Sequence, residues 1–258
     1  MSETILTNAR IVLPDAVVAG SLRIADGRIA AIDPGRTAVP GAVDCEGDTV
    51  IPGLVELHTD NLERQVQPRP RVRWPGDAAL VAHDGQIAAA GITTVCDAIC
   101  VGFYGGKQER LEFLEVSLAA IRHGRETGTL RVDHRVHLRC EVSDPATTGL
   151  VDAVIDLPEM QLVSVMDHTP GDRQSPDIER WFWHMLRDME VHEEEGRRMM
   201  EELLDRSRRH GPAVRRHVTE AAMRAGIPLM SHDDRTEDHV DAAVAEGCTI
   251  SEFPTTLR

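Results

Sequence analysis

Lysine is nearly absent from this 258-residue chain: of its 28 basic side chains, Lys107 is the one lysine and the rest are arginine. Any role that needs an amine therefore falls on one position. No apolar run reaches the roughly 18 residues from which a membrane-spanning helix is read, and the opening "MSETILTNAR" has no basic segment followed by an apolar one. A soluble, unexported protein of the cytoplasm is expected. The net charge of −15 argues against a nucleic-acid-binding surface and against docking on acidic membranes. Cys45, Cys96, Cys100, Cys140 and Cys248 are odd in number and irregular in spacing, so no disulfide framework is implied. Cys96 and Cys100 lack the spacing of a zinc pair and read as buried thiols in a reducing compartment.

Several catalytic signatures are also missing. "GFYGGKQ" (102–108) has too short a spacing for a nucleotide-binding P-loop, and Gln108 stands where that motif needs a hydroxyl. Its backbone N–H groups and Lys107 could still meet a phosphate. His192-Glu193 is followed by Gly196 where a zinc protease has its second histidine. Trp181 and Trp183 read as helix packing rather than a stacking platform. No G-x-S-x-G elbow occurs.

What is present falls into two textures. Residues 1–50 are β-branched runs broken by Asp-Gly, Pro-Gly and Glu-Gly turns, with Asp26-Gly27 as a hairpin signal. They predict a small β-unit. From 51 to 258 apolar strands alternate with helices, which predicts βαβ units around a parallel sheet. One long charged helical region is expected from about 176 to 224, and a helix closed by Gly91 precedes the strand "ITTVCDAI".

Four of these strands end in residues able to hold a metal: His58 with Asp60, Glu141, His168 and His232, the last followed by Asp233 and Asp234. His58 and Asp60 are two apart, so an extended chain sends both to one side. Each has a plainer reading. His58 and Asp60 could simply end a strand, Glu141 could pair with Arg139, and His168 could cap a loop. Together, imidazoles and carboxylates at the C-terminal ends of parallel strands suit divalent zinc, manganese or a similar ion. After the first of these strands, Arg64, Arg69, Arg71 and Arg73 crowd an otherwise acidic chain, and Arg139 and Arg173 flank later strand ends. Guanidinium groups bind phosphate oxygens in pairs, so a polyanionic substrate is expected, against a merely solvated charge run.

The motifs "PGLVELHTDN", "GITTV", "HLRCE", "MDHTPGDRQ" and "SHDD", in this order from Ala9 to Thr256, resemble the PhnM-type members of the amidohydrolase superfamily. Most superfamily members carry His-x-His after the first barrel strand; here the pair is His58-Thr59-Asp60. The resemblance implies a metal-bearing (β/α)8 TIM-like barrel with a small N-terminal β-sandwich. It implies hydrolysis of α-D-ribose 1-methylphosphonate 5-triphosphate to the 5-phosphate and pyrophosphate, in phosphonate catabolism.

By the same resemblance, His58 and Asp60 hold one ion, His168 and His232 a second, and Glu141 sits between. Glu141, His232 and Asp233 are then catalytic, while Arg64, Arg69, Arg71, Arg73, Lys107, Arg139 and Arg173 bind the substrate. A carboxylated lysine bridges the ions in many amidohydrolases. Lys107 lies in a glycine loop, badly placed for that, which leaves the role to a carboxylate. Fewer than the eight strands of a closed barrel are countable, and no segment follows Phe253 to supply the last-strand aspartate of the superfamily. The barrel is expected to be incomplete at the C-terminus, with exposed edges that a homodimer could cover. A ring-opening or deaminating hydrolase and a catalytically impaired metal-binding fragment are the alternatives.

Overall fold

The computed structural model describes residues 3–69, 72–102, 109–171 and 173–256. Two of the expected substrate-binding residues, Arg71 and Lys107, lie outside the described residues. The chain forms two compact units, Met1–Leu54 and Val55–Arg258.

The first unit is a mixed sheet. Strands β1 (Glu3–Val12), β2 (Val17–Ala25) and β3 (Arg28–Pro34) are antiparallel neighbours, and β4 (Val43–Asp44) and β5 (Thr49–Val50) run parallel to β1. Asp26 and Gly27 have φ values of 51° and 74° and join paired Ala25 and Arg28. Two positive φ values in a two-residue loop match the right-handed twist of the strands, and Asp-Gly tolerates them at little cost. Ala9, Ile11 and Leu22 form a small core.

The second unit contains β6 (Leu54–Thr59), β7 (Ile92–Val101), β8 (Asp133–Glu141), β9 (Met160–Met166), β10 (Leu229–His232) and β11 (Ile250–Glu252). Their order is β11-β10-β9-β8-β7-β6, so each strand lies beside its predecessor, and β7 through β11 pair in parallel. Helices α1 (Asn61–Val66), α2 (Gly76–Ala89), α3 (Glu109–Thr127), α4 (Thr147–Val154), α5 (Ile178–Met189), α6 (Glu193–Ala225) and α7 (Glu237–Ala245) connect them. Successive βα crossovers of one hand curl the sheet toward a barrel. Its six strands leave β6 and β11 as edges. Val55 and Leu57 on β6 are exposed, as an open edge leaves them.

Alternation along the strands separates two chemistries. On β8, Val136, Leu138 and Cys140 point to the helix layer and join the core of α2, α3 and α6 side chains. The intervening residues Arg135, His137, Arg139 and Glu141 point the other way, into the concave face. Cys96, Leu162 and Met230 supply the apolar floor on that face. None of the five cysteines, all among the described residues, is in a disulfide, and Cys96, Cys100 and Cys140 are buried.

The expected helical region from about 176 to 224 consists of two helices. Glu190 adopts a left-handed conformation (φ 54°) that ends α5, and α6 then starts afresh with Glu193, Glu194 and Glu195 in its first turn. Those carboxylates face the positive end of the helix dipole, which favours the new start. Gly91 lies just past the end of α2 with φ 79°, as the sequence pattern indicates.

Candidate metal centre

The concave face carries most of its polar residues at the C-terminal ends of the strands, with His137 midway along β8. His58 comes from β6, His137 and Glu141 from β8, His232 from β10 and Glu252 from β11; His168 follows β9. Ring centroids lie 5.2 Å apart for His58 and His137, 6.5 Å for His58 and His232, and 5.6 Å for His168 and His232. Four imidazoles from four strands thus share one small, largely buried volume.

Carboxylates knit them together. Glu252 hydrogen-bonds His58 Nδ1 through Oε1 and His232 Nδ1 through Oε2, the latter at 2.9 Å. Glu141 accepts from His168 Nδ1 at 2.6 Å and from the Ser143 hydroxyl at 2.8 Å. Asp60 lies 3.3 Å from His58 Nε2 and accepts from Arg139 Nη1 at 2.7 Å. Burial pulls the His58 pKa down, but the Asp60 and Glu252 carboxylates outweigh it and push it up to about 9. In the metal-free chain His58 is therefore a cation at neutral pH, held between two carboxylates.

Burial raises the pKa values of Glu141, Asp60 and Glu252, yet their hydrogen-bonded partners hold all three below the ordinary carboxylate range. They remain ionised in a low-dielectric cleft. Burial drives His137 the other way, down to about 4. Its ring is thus neutral, with Nδ1 3.1 Å from the Leu57 carbonyl and Nε2 2.9 Å from the Ser164 hydroxyl.

Two groups here have donor atoms close enough to hold one ion each: His58, His137 and Glu252, and His168, His232 and Asp233. The chemistry of these donors fits a divalent cation, because neutral imidazole nitrogen and carboxylate oxygen suit zinc, manganese and their neighbours. Asp233 adds a structural reason. Its Oδ2 is buried without a hydrogen-bond partner among the described residues, 3.5 Å from His232 Nε2. Asp233 itself sits at φ 55°, a costly conformation for a non-glycine residue that aims its side chain inward.

The structure brings His58, Asp60, Glu141, His168, His232 and Asp233 to this one face. The expected arginines are distributed differently. Arg139 faces Asp60 in the cleft. Arg173 is buried and donates to the His232 carbonyl at 3.0 Å and to Asp234 at 2.9 Å, so it braces β10. Arg73 pairs with Glu112, and Arg64 and Arg69 are exposed.

Two members of the cluster, His137 and Glu252, escape a reading of strand ends taken one residue at a time. The signal for His137 is its two-residue spacing from Arg139, four residues before Glu141 on the same face. For Glu252 it is the end of "CTISEF", a strand end like the others.

A third group lies elsewhere. His83 on α2, Asp97 on β7 and His134 on β8 are fully buried on the helix side of the sheet. Asp97 accepts from His83 Nε2 at 2.8 Å and from His134 Nδ1 at 2.7 Å. Asp84 stands 3.5 Å from His134 Nε2 and is anchored by Arg131.

No family model matches the sequence. The chain is 38% identical over 254 residues to the α-D-ribose 1-methylphosphonate 5-triphosphate diphosphatase of Escherichia coli (strain K12), covering 98% of this chain and 67% of that protein. Among solved structures, a D-hydantoinase superposes with a TM-score of 0.51 at 17% identity, over 97% of this chain and 57% of its own. Dihydropyrimidinase from Brevibacillus agri NCHU1002 gives a TM-score of 0.50 at 12% identity, over 97% of this chain and 57% of its own. These structures share the fold; the chain spans a little over half their length. The sequence identity, over nearly all its residues, places the chain in the PhnM-type diphosphatase family of the amidohydrolase superfamily.

Proposed function

We propose that this chain hydrolyses the phosphoanhydride of α-D-ribose 1-methylphosphonate 5-triphosphate, forming the 5-phosphate and pyrophosphate. The observation that carries the reading is the convergence of His58, His137, His168, His232, Glu252 and Asp233 into two adjacent donor sets on one concave face. Its further parts are two ions of zinc or manganese, a cytoplasmic setting, no nucleic-acid partner, and a homodimer that covers the open strand edges.

His58, His137 and Glu252 would hold one ion and His168, His232 and Asp233 the other. When bound, such ions supply Lewis acidity to a phosphoryl oxygen and make a water molecule a better acid. The chain's own residues do the rest. Glu252 orients His58 and His232, and Glu141 orients His168, each through a ring nitrogen. Asp233 Oδ2 takes the proton of the attacking water, beside His232 Nε2. The water oxygen bonds to the α-phosphorus, the bond to the bridging oxygen breaks, and pyrophosphate leaves. Arg139 offsets the charge of Asp60 at the rim, where an anionic substrate enters.

The test is pyrophosphate release by the purified chain, with zinc or manganese, from the triphosphate and from neutral cyclic amides. Release from the triphosphate that is abolished by chelation and by Asp233→Asn supports the reading. Ring opening of the amides without pyrophosphate release would overturn it.

A further inference from the structure

The long helix α6 carries Gly211 and Pro212 near its middle and continues through both. Both weaken a helix interior, by about 1 kcal/mol for glycine and about 3 for proline relative to alanine. Proline also has no N–H to offer the carbonyl four residues earlier, that of Arg208. Such a local conflict in an otherwise regular element calls for a reason at the site where it occurs. Here it lies against a cavity of about 570 Å³ whose wall includes Arg208, Arg215, Arg216, Asp167 and Val142.

Val142 and Asp167 immediately follow β8 and β9, next in sequence to Glu141 and His168. The cavity therefore lies at the same end of the sheet as the candidate metal centre. Its charge is unusual for so acidic a chain: three guanidinium groups against the carboxylates of Asp167 and Glu246. Glu246 is occupied, since both its oxygens accept from Arg215 Nε at 2.7 and 2.8 Å. That leaves Arg215 Nη2 buried without a hydrogen-bond partner among the described residues. A buried guanidinium N–H without an acceptor costs free energy that a bound anion would recover. Arg208 and Arg216 are exposed at the mouth, with Arg208 Nη2 3.7 Å from Asp205. Meanwhile Arg139, Arg173 and Arg73 are engaged with Asp60, Asp234 and Glu112.

We infer that this cavity is an anion subsite, in which Arg215 Nη2, Arg208 and Arg216 grip a phosphoryl or phosphonyl group of the substrate. The inference rests on the diphosphatase reading for the substrate, although the cavity needs no metal to bind an anion. It moves charge recognition from the arginine-rich segment after β6 to the middle of α6. Three guanidinium groups offer bidentate donors to one tetrahedral anion, which the metal-side carboxylates cannot do.

The experiment titrates the metal-free full chain with inorganic phosphate and with methylphosphonate, by calorimetry. Wild type is compared with the double variant Arg208→Gln/Arg216→Gln, whose exposed positions spare the core. Arg198→Gln/Arg224→Gln, on the same helix outside the cavity, controls for the loss of two charges. Binding roughly tenfold weaker in the Arg208→Gln/Arg216→Gln variant and unchanged in Arg198→Gln/Arg224→Gln supports the subsite. With the metal-loaded chain, the Arg208→Gln/Arg216→Gln variant should raise KM for the triphosphate far more than it lowers kcat. Equal phosphate binding by wild type and the Arg208→Gln/Arg216→Gln variant, or none by wild type, overturns the inference. If instead the diphosphatase reading fails, no pyrophosphate is released while phosphate binding to the cavity persists.

Discussion

Glu252 and His58 are 194 residues apart and hydrogen-bonded to one another, and the second oxygen of Glu252 reaches His232 at 2.9 Å. One carboxylate on the last described strand thus orients a histidine from each of the two donor sets. Glu252→Gln keeps the shape but removes the charge and one acceptor. We expect it to weaken metal binding by at least roughly 10- to 100-fold, the usual cost of losing a carboxylate that orients metal ligands, because Glu252 is also a member of the first donor set. Metal content after dialysis measures this, with thermal unfolding of the metal-free variant to show that the fold survives.

Metal uptake should depend on pH through His58. A cation must displace the proton that His58 retains up to about pH 9, so affinity rises with pH to that point and then levels. Zinc titrations at intervals across that range, in buffers of different ionisation enthalpy, report both the affinity and the proton released. A flat profile would sink the assignment of His58 as a ligand. In the metal-free chain the same proton stabilises the fold. The folded pKa is raised from 6.5, so this contribution is complete below about 6.5 and is lost as pH rises through about 9.

Asp97 is expected to matter for folding. It is the shared partner of His83 and His134, all three fully buried. Asp97→Ala leaves two buried rings without their acceptor and should cost about 3–5 kcal/mol, as breaking buried pairs does. Urea unfolding of the metal-free chain checks it, and a loss below about 1 kcal/mol would refute the network's structural role.

Gly102→Ala tests how tightly β7 is seated against the site. A Cβ there would lie 2.1 Å from Thr147 Oγ1 and 3.0 Å from the Glu141 carbonyl, at φ +85°. Clash and backbone strain together should destabilise by about 3 kcal/mol or more. A variant as stable as wild type would show that Glu141 is held less rigidly than this contact implies.

Much of this was legible in the residues. Alternating strands and helices dictated a parallel sheet, and Asp26-Gly27 dictated a hairpin, because both follow from local periodicity and backbone preference. His58, Asp60, Glu141, His168 and His232 stood out because parallel strands deliver their last residues to one end of the sheet. The distribution of partners did not stand out. Whether Arg139 meets Glu141 or Asp60, and whether Arg173 faces solvent or Asp234, depends on side-chain direction across strands far apart in sequence. Glu252 gained its place only when the curl of the sheet carried β11 within reach of β6. The sequence by itself determined which strands end in ligand chemistry. Tertiary structure decided which of those ends meet, because strand curl and helix packing set distances that no local pattern encodes.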